Sequence, residues 1–192
     1  MAPLLDSLMP AWDQRSAQRL TIAAPEEEVW SALHQVTLRD MPIFRALLTL
    51  RQPFLPLARR ERRLGAGSDR PLLAEMVSGA FVPLAQRPTS EVVIGLIARP
   101  WLPNGGLSRL DRAEFMAMEE PGWVKIVLGF RLDQVGPATL LLTETRVRAT
   151  DAAARRRFWI YWLAIGWGSA VTRRAWLRAI KRRAEADSSP GR

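Results

Sequence analysis

The chain of 192 residues contains no cysteine and a single histidine, His34. Without cysteine there are no disulfides, no cysteine-held zinc and no thiol chemistry. One histidine leaves little room for a histidine metal cluster. The sequence also lacks GxSxG, P-loop, dinucleotide-binding and HExxH motifs, which removes the usual signatures of hydrolases, nucleotide enzymes and zinc peptidases. GAGSDR (65–70) carries glycines but no phosphate-loop lysine and reads as a linker. Lysine is scarce: of 28 basic residues only Lys125 and Lys181 are lysines and the rest are arginines. No uncharged run is longer than 158–172. As a helix it covers about 22 Å at ~1.5 Å per residue, short of a ~30 Å hydrocarbon core. Arginines flank both of its ends, so no membrane span is expected.

What is present is an ordinary folding composition, 48% hydrophobic and 24% charged, enough for one domain with a real core. The expected organisation is an N-terminal extension over 1–14, one domain over 15–184 and a small polar tail over 185–192. The net charge of +9 suits nucleic acid or an anionic membrane surface. Abundant arginine, alanine, proline and tryptophan with scarce lysine is also what a GC-rich genome produces. With no nucleic-acid motif beside the charge, no nucleic-acid partner is expected. The N-terminus has no basic stretch followed by a long apolar one, and carries Asp6 and Asp13; it reads as no signal peptide and a cytoplasmic protein.

Periodicity divides the chain into strand, helices, strands and helix. RSAQRLTIA (15–23) reads as a first strand. Pro25 and Glu26, Glu27 and Glu28 then open a helix over 25–36, since proline suits the first turn and acids suit the positive end of the dipole. A second short helix is expected over about 40–50, broken by Pro53 and Pro56, with a charged linker to residue 71. From 72 the strand-like runs are 72–85, 90–99, 113–118, 123–135 and 138–150. Pro121-Gly122 reads as a hairpin turn. Val124, Ile126, Leu128, Phe130 and Leu132 share one face, with Lys125, Arg131 and Asp133 opposite. This describes an antiparallel sheet, buried on one side. Thr150-Asp151 caps a closing helix over 151–184. The expected fold is α+β, with a sheet of about six or seven strands and one long helix across it.

This order of elements resembles the START/Bet v 1-like (SRPBCC, polyketide cyclase/dehydrase) superfamily, with its helix-grip fold, over roughly 15–184. TETRVRATDAAARRRF (143–158), YW (161–162), GS (168–169), RRAWLRAIKRRAE (173–185), LRDMPIFRALL (38–48) and EEPGWVKI (119–126) are similar to an uncharacterised bacterial branch of it. The resemblance implies a crevice between sheet and long helix that holds a hydrophobic ligand. The ligand is not implied, because lipid carriers, cyclases, hydrolases and chaperone activators share the fold.

No catalytic set accompanies the resemblance. His34 has no acid three or four residues away on its helix, so nothing orients it or tunes its pKa. Glu144 reads as part of a charge ladder with Arg146 and Arg148, and Asp151 as a cap. No cofactor is expected. Hydroxyls of Thr143, Thr145, Ser169, Thr172 and Tyr161 suit orienting a ligand more than breaking one.

On a 100° wheel Phe158, Tyr161, Trp162, Ile165, Ser169, Thr172, Trp176 and Ile180 form one stripe, as a helix lying on a sheet requires. Arg155, Arg156, Arg173, Arg174, Arg178 and Lys181 are assigned to the opposite side. The expected ligand-binding set is Phe158, Tyr161, Trp162, Ile165 and Ser169 from the helix, with Leu128, Phe130 and Thr143 from the sheet. Trp159, Ile160, Leu163 and Trp167 lie on the arginine side instead. In the branch the positions matching 159, 160 and 163 are commonly polar or basic, so these four form a candidate contact patch. Segment 51–58 is the candidate to cover it. Three functions remain: binding a hydrophobic small molecule or lipid without chemistry; a cyclase/dehydrase-like enzyme using Tyr161, Thr143 or His34; and a module that forms a homodimer or touches a membrane through the outer patch.

Overall fold

The computed structural model describes residues 2–42, 69–102, 105–108 and 110–188. In chain order its elements are α1 (Leu4–Leu8), β1 (Gln14–Ile22), α2 (Glu26–Gln35), a 3-10 turn (Leu38–Asp40) and α3 (Leu72–Ser78). There follow β2 (Val82–Arg87), β3 (Glu91–Ala98), α4 (Arg112–Ala117), β4 (Val124–Val135), β5 (Ala138–Ala149) and α5 (Ala152–Asp187).

The architecture is α+β. Five strands form one antiparallel sheet in the order β1-β5-β4-β3-β2. The count is lower than the six or seven expected, because two apolar runs read as strands contain helices. In 72–85 the first half is α3, opened by Pro71, and only the second half is β2. Run 113–118 is mostly α4, whose start is a capping box: the Asp111 carboxylate accepts from Glu114 N–H and the Glu114 carboxylate accepts from Asp111 N–H. That reciprocal pair satisfies two otherwise orphaned donors and outweighs the strand-like pattern. Pro121-Gly122 accordingly joins α4 to β4 rather than closing a hairpin, with Gly122 at φ 88°. The expected helix over 40–50 and the cover segment 51–58 lie outside the described residues, apart from 40–42.

The inner face of the sheet follows the alternation in the sequence. Leu128, Phe130 and Leu132 of β4 lie opposite Thr145, Thr143 and Leu141 of β5. In turn, Thr145, Thr143 and Leu141 lie opposite Ser16, Gln18 and Leu20 of β1. Against this face pack α2, α3 and the C-terminal half of α5, through Val29, Leu33, Val36, Leu72, Trp176 and Ile180. Phe130 meets the Trp176 ring edge-on at 4.8 Å, a favourable aromatic geometry.

The outer face is not the solvated side expected from its charges. Leu5 and Met9 from the N-terminal segment and Phe115 of α4 cover Val82, Leu84, Val93, Ile97 and Val127 there. Gly95 makes room: a Cβ at that position would lie 2.8 Å from both Leu84 and the Phe115 ring. Two basic residues of this face, Lys125 and Arg146, are buried with partners. Lys125 Nζ donates to Met116 O at 3.1 Å. Arg146 donates to Met9 O at 2.8 Å, to the Glu144 carboxylate at 2.6 Å and to Asp6. Glu144 is also held by Arg15 at 2.8 Å. The expected charge ladder is real in sequence order, but Arg146 within it is an interior strut.

Candidate functional site

The 36 residues of α5 are longer than the sheet needs for a single packed contact, and the helix is held at two places. At its start Asp151 caps it, accepting from Ala154 N–H at 2.8 Å and from Gly122 N–H. These amide bonds hold the Asp151 carboxyl below its ordinary range. Ala154 and Phe158 then bury themselves against Val124, Val147 and Ala149. Phe158 stacks on Trp162 at 5.8 Å and meets Tyr161 at 6.0 Å. At the other end Trp176, Leu177, Ala179, Ile180 and Ala184 are locked into the main core. Between Phe158 and Arg173 no residue of α5 is fully buried. The helix is thus clamped at both ends and loosely covered in the middle, where it crosses the inner face of the sheet.

The residues expected to bind ligand fall into three groups along this crossing. Phe158, Tyr161 and Trp162 form the first aromatic cluster. Leu128 and Phe130 belong to the main core, beside Trp176. Thr143, opposite Phe130, is buried, and its hydroxyl has no hydrogen-bond partner among the described residues. Ile165 and Ser169 lie between the clusters and are half-buried. A groove of about 670 Å³ opens where β1 and β5 meet the first turns of α5, lined by Gln14, Val147, Ala149, Phe158 and Trp159 among others. Of the eight residues, only Phe158 reaches it. An Arg155–Asp13 ion pair at 2.7 Å stands at its rim.

Arg173 is the departure that matters most here. It was assigned to the outer arginine side, yet it is 6% exposed and turned inward. The geometry of the helix explains this. Position 173 lies seven residues before Ile180 and eleven after Trp162, offsets that return to nearly the same side of a 3.6-residue helix. Its guanidinium donates to Thr145 Oγ1 at 2.8 Å and to Ser16 Oγ, which are cross-strand partners on the sheet. Among the described residues no carboxylate pairs with it, and Nε has no partner. Burial therefore pulls the group below its ordinary value with nothing acting the other way. Beside it, Gln18 donates to Ala170 O at 3.0 Å, while its Oε1 and Trp176 Nε1 have no partner among the described residues. Ser16, Gln18, Arg173 and Trp176 were not among the expected site residues. The helical offset of 173 was a usable signal for the arginine.

The other candidate groups lie apart. His34 Nδ1 lies 2.9 Å from the Trp30 carbonyl oxygen, the acceptor of that hydrogen bond, and the His34 ring sits 4.5 Å from that of Trp30. Trp159, Ile160, Leu163 and Trp167 are 51%, 60%, 63% and 67% exposed, with Arg155, Arg156, Arg157 and Arg174 exposed near them along α5. Among the described residues no group of three or more metal-ligating side chains comes together. No described helix is long and apolar enough to cross a membrane.

No family model matches the chain, and no curated protein matches it. Among solved structures, one from Thermus thermophilus is similar over 92% of this chain and 100% of its own, at 9% identity and a TM-score of 0.34.

Proposed function

We propose that the chain is a helix-grip protein of the START/Bet v 1-like type, which binds a hydrophobic small molecule or lipid between the sheet and α5 without chemistry on it. One observation carries this reading: α5 is clamped at Phe158 and at Trp176, and none of the residues between them as far as Thr172 is fully buried above the inner sheet face. A helix that served only the core would bury its stripe along its whole length. A partly covered apolar span between two anchors is what an apolar guest can complete. The purified protein is expected to carry lipid-sized adducts in native mass spectrometry. Ile165→Arg, which puts a charge on that span, is expected to lose them while keeping its melting cooperative. Adduct-free wild-type protein that also fails to take up fatty acid or fatty alcohol would sink the reading.

The exposure of Trp159, Ile160, Leu163 and Trp167 favours a second, compatible role: α5 docks its outer side on an anionic membrane. Tryptophan and aliphatic side chains can enter the acyl boundary while the neighbouring arginines meet lipid phosphate. The protein is expected to float with vesicles containing phosphatidylserine and to remain behind with pure phosphatidylcholine. Trp159→Arg/Leu163→Arg is expected to weaken that binding about tenfold or more. A stable dimer in light scattering that the double variant abolishes, with no vesicle binding, would place a second copy on this side instead.

A further inference from the structure

Among the described residues, Arg173 is the buried charge that no group of opposite charge pairs with. The other buried arginine among the described residues, Arg146 of β5, is surrounded by two carboxylates and two backbone carbonyls. Arg173 is buried to the same degree and has two hydroxyls. A guanidinium stays protonated under all ordinary conditions, so its charge remains inside the protein. Burial of a charge without an anion is unfavourable. Nothing in the packing of α5 demands an arginine there, since a methionine has a comparable stem.

Most polar atoms around it are free to donate, with Gln18 Oε1 the unpartnered acceptor beside them among the described residues. Arg173 Nε and Trp176 Nε1 are donor-only groups with no partner among the described residues. The hydroxyls of Ser16 and Thr145 accept from Arg173, which leaves their own protons to give. The Thr143 hydroxyl is also uncommitted and lies two residues from Thr145 on the same side of β5. Such a donor-rich set suits a carboxylate, which only accepts. It lies at the end of the loosely covered span of α5, next to the locked core.

We propose that Arg173, with Ser16, Thr145 and Trp176, is the headgroup site of the crevice and takes the carboxylate of a long-chain amphiphile. The hydrocarbon then runs under α5 toward Ile165 and Phe158. This rests on the reading of the crevice as a ligand site and adds the charge of the ligand to it.

The test compares palmitate with hexadecanol, the same chain with and without the anion, each titrated below its aggregation limit into the full-length protein. Wild type is expected to bind palmitate about tenfold more tightly or better, the scale of one charge-assisted contact. In Arg173→Gln the palmitate-to-hexadecanol ratio is expected to collapse toward one. If that variant does not fold, the ratio is read in Ser16→Ala and Thr145→Val, where it is expected to fall severalfold. A ratio near one in wild type, or a full ratio retained in the variants, overturns the headgroup site while leaving the crevice intact. If wild type binds neither compound, the crevice reading itself fails.

Discussion

Arg146→Met is expected to destabilise the protein by about 3–5 kcal/mol, the scale seen when one partner of a buried ion pair is removed. Arg146 is 5% exposed and ties the N-terminal segment to the sheet. Its donors reach Leu5 O, Met9 O, Asp6 and Glu144, and its guanidinium lies 4.1 Å from the Trp12 ring centre. Methionine would fill much of the volume but take from Met9 O its 2.8 Å donor and leave Glu144 with only Arg15, while Leu5 O keeps the Met9 N–H. Urea unfolding measures the loss, and hydrogen exchange locates it: the amides of α1 are expected to exchange early, before those of β4 and β5. The same variant changes acid behaviour. Burial pushes the Glu144 carboxyl up, but the bonds from Arg15 and Arg146 outweigh it and hold the group below its ordinary value. A lowered carboxyl contributes stability above the ordinary glutamate range and loses it as pH falls through the lowered value. Arg146→Met is expected to shrink that acid-side loss. A change under about 1 kcal/mol, with α1 protection intact, would show that the N-terminal segment is held by Leu5 and Met9 alone.

The sheet was legible where one periodicity acted alone. Val124, Ile126, Leu128, Phe130 and Leu132 alternate with less apolar neighbours, and β4 follows them residue by residue. Helix α2 and the long α5 were legible from their openings, Pro25 with three glutamates and Thr150-Asp151. Misreading began where two signals competed. The run around α3 holds enough apolar residues for either period, and Pro71 decides it. The run at α4 looks strand-like until the Asp111–Glu114 box is weighed. The outer face was missed for a different reason. Alternation tells which residues point away from one core, but it cannot tell solvent from a second layer. Lys125 and Arg146 look like surface residues in a pattern, and only the arrival of Met116 O and Met9 O from distant segments makes them interior.

The site shows the same limit. Phe158, Tyr161 and Trp162 could be grouped from helical spacing, and they do meet. That α5 would be clamped at both ends and loosely covered between them depends on where α2 and α3 stop, which no local pattern states. Arg173 was set on the wrong side because arginine is expected to face water, although its angular position agreed with Ile180. The residue type outweighed the geometry in the reading, and the fold reversed the order.

Arg173→Met is expected to move stability the other way from Arg146→Met, raising it by about 1 to 3 kcal/mol. The two substitutions are chemically identical and act on opposite faces of one sheet. At Arg146 the charge is answered by carboxylates and carbonyls, so removal takes the 2.8 Å donor from Met9 O and the guanidinium from Asp6 and leaves Glu144 with Arg15 alone. At Arg173 the described partners are Thr145 and Ser16 hydroxyls. When the arginine leaves, these two lie directly opposite each other across β5 and β1 and can bond to one another. Methionine then ends the cost of an interior charge without stranding an acceptor, and replacement of a poorly compensated buried ion by an apolar side chain is commonly stabilising. Residues kept at a cost to stability are characteristic of binding sites. Parallel urea titrations of the two variants decide the sign. A loss for Arg173→Met as large as that for Arg146→Met would make Arg173 a clamp between α5 and the β1–β5 edge. A gain would mean that the folded chain carries this charge for something other than its own stability.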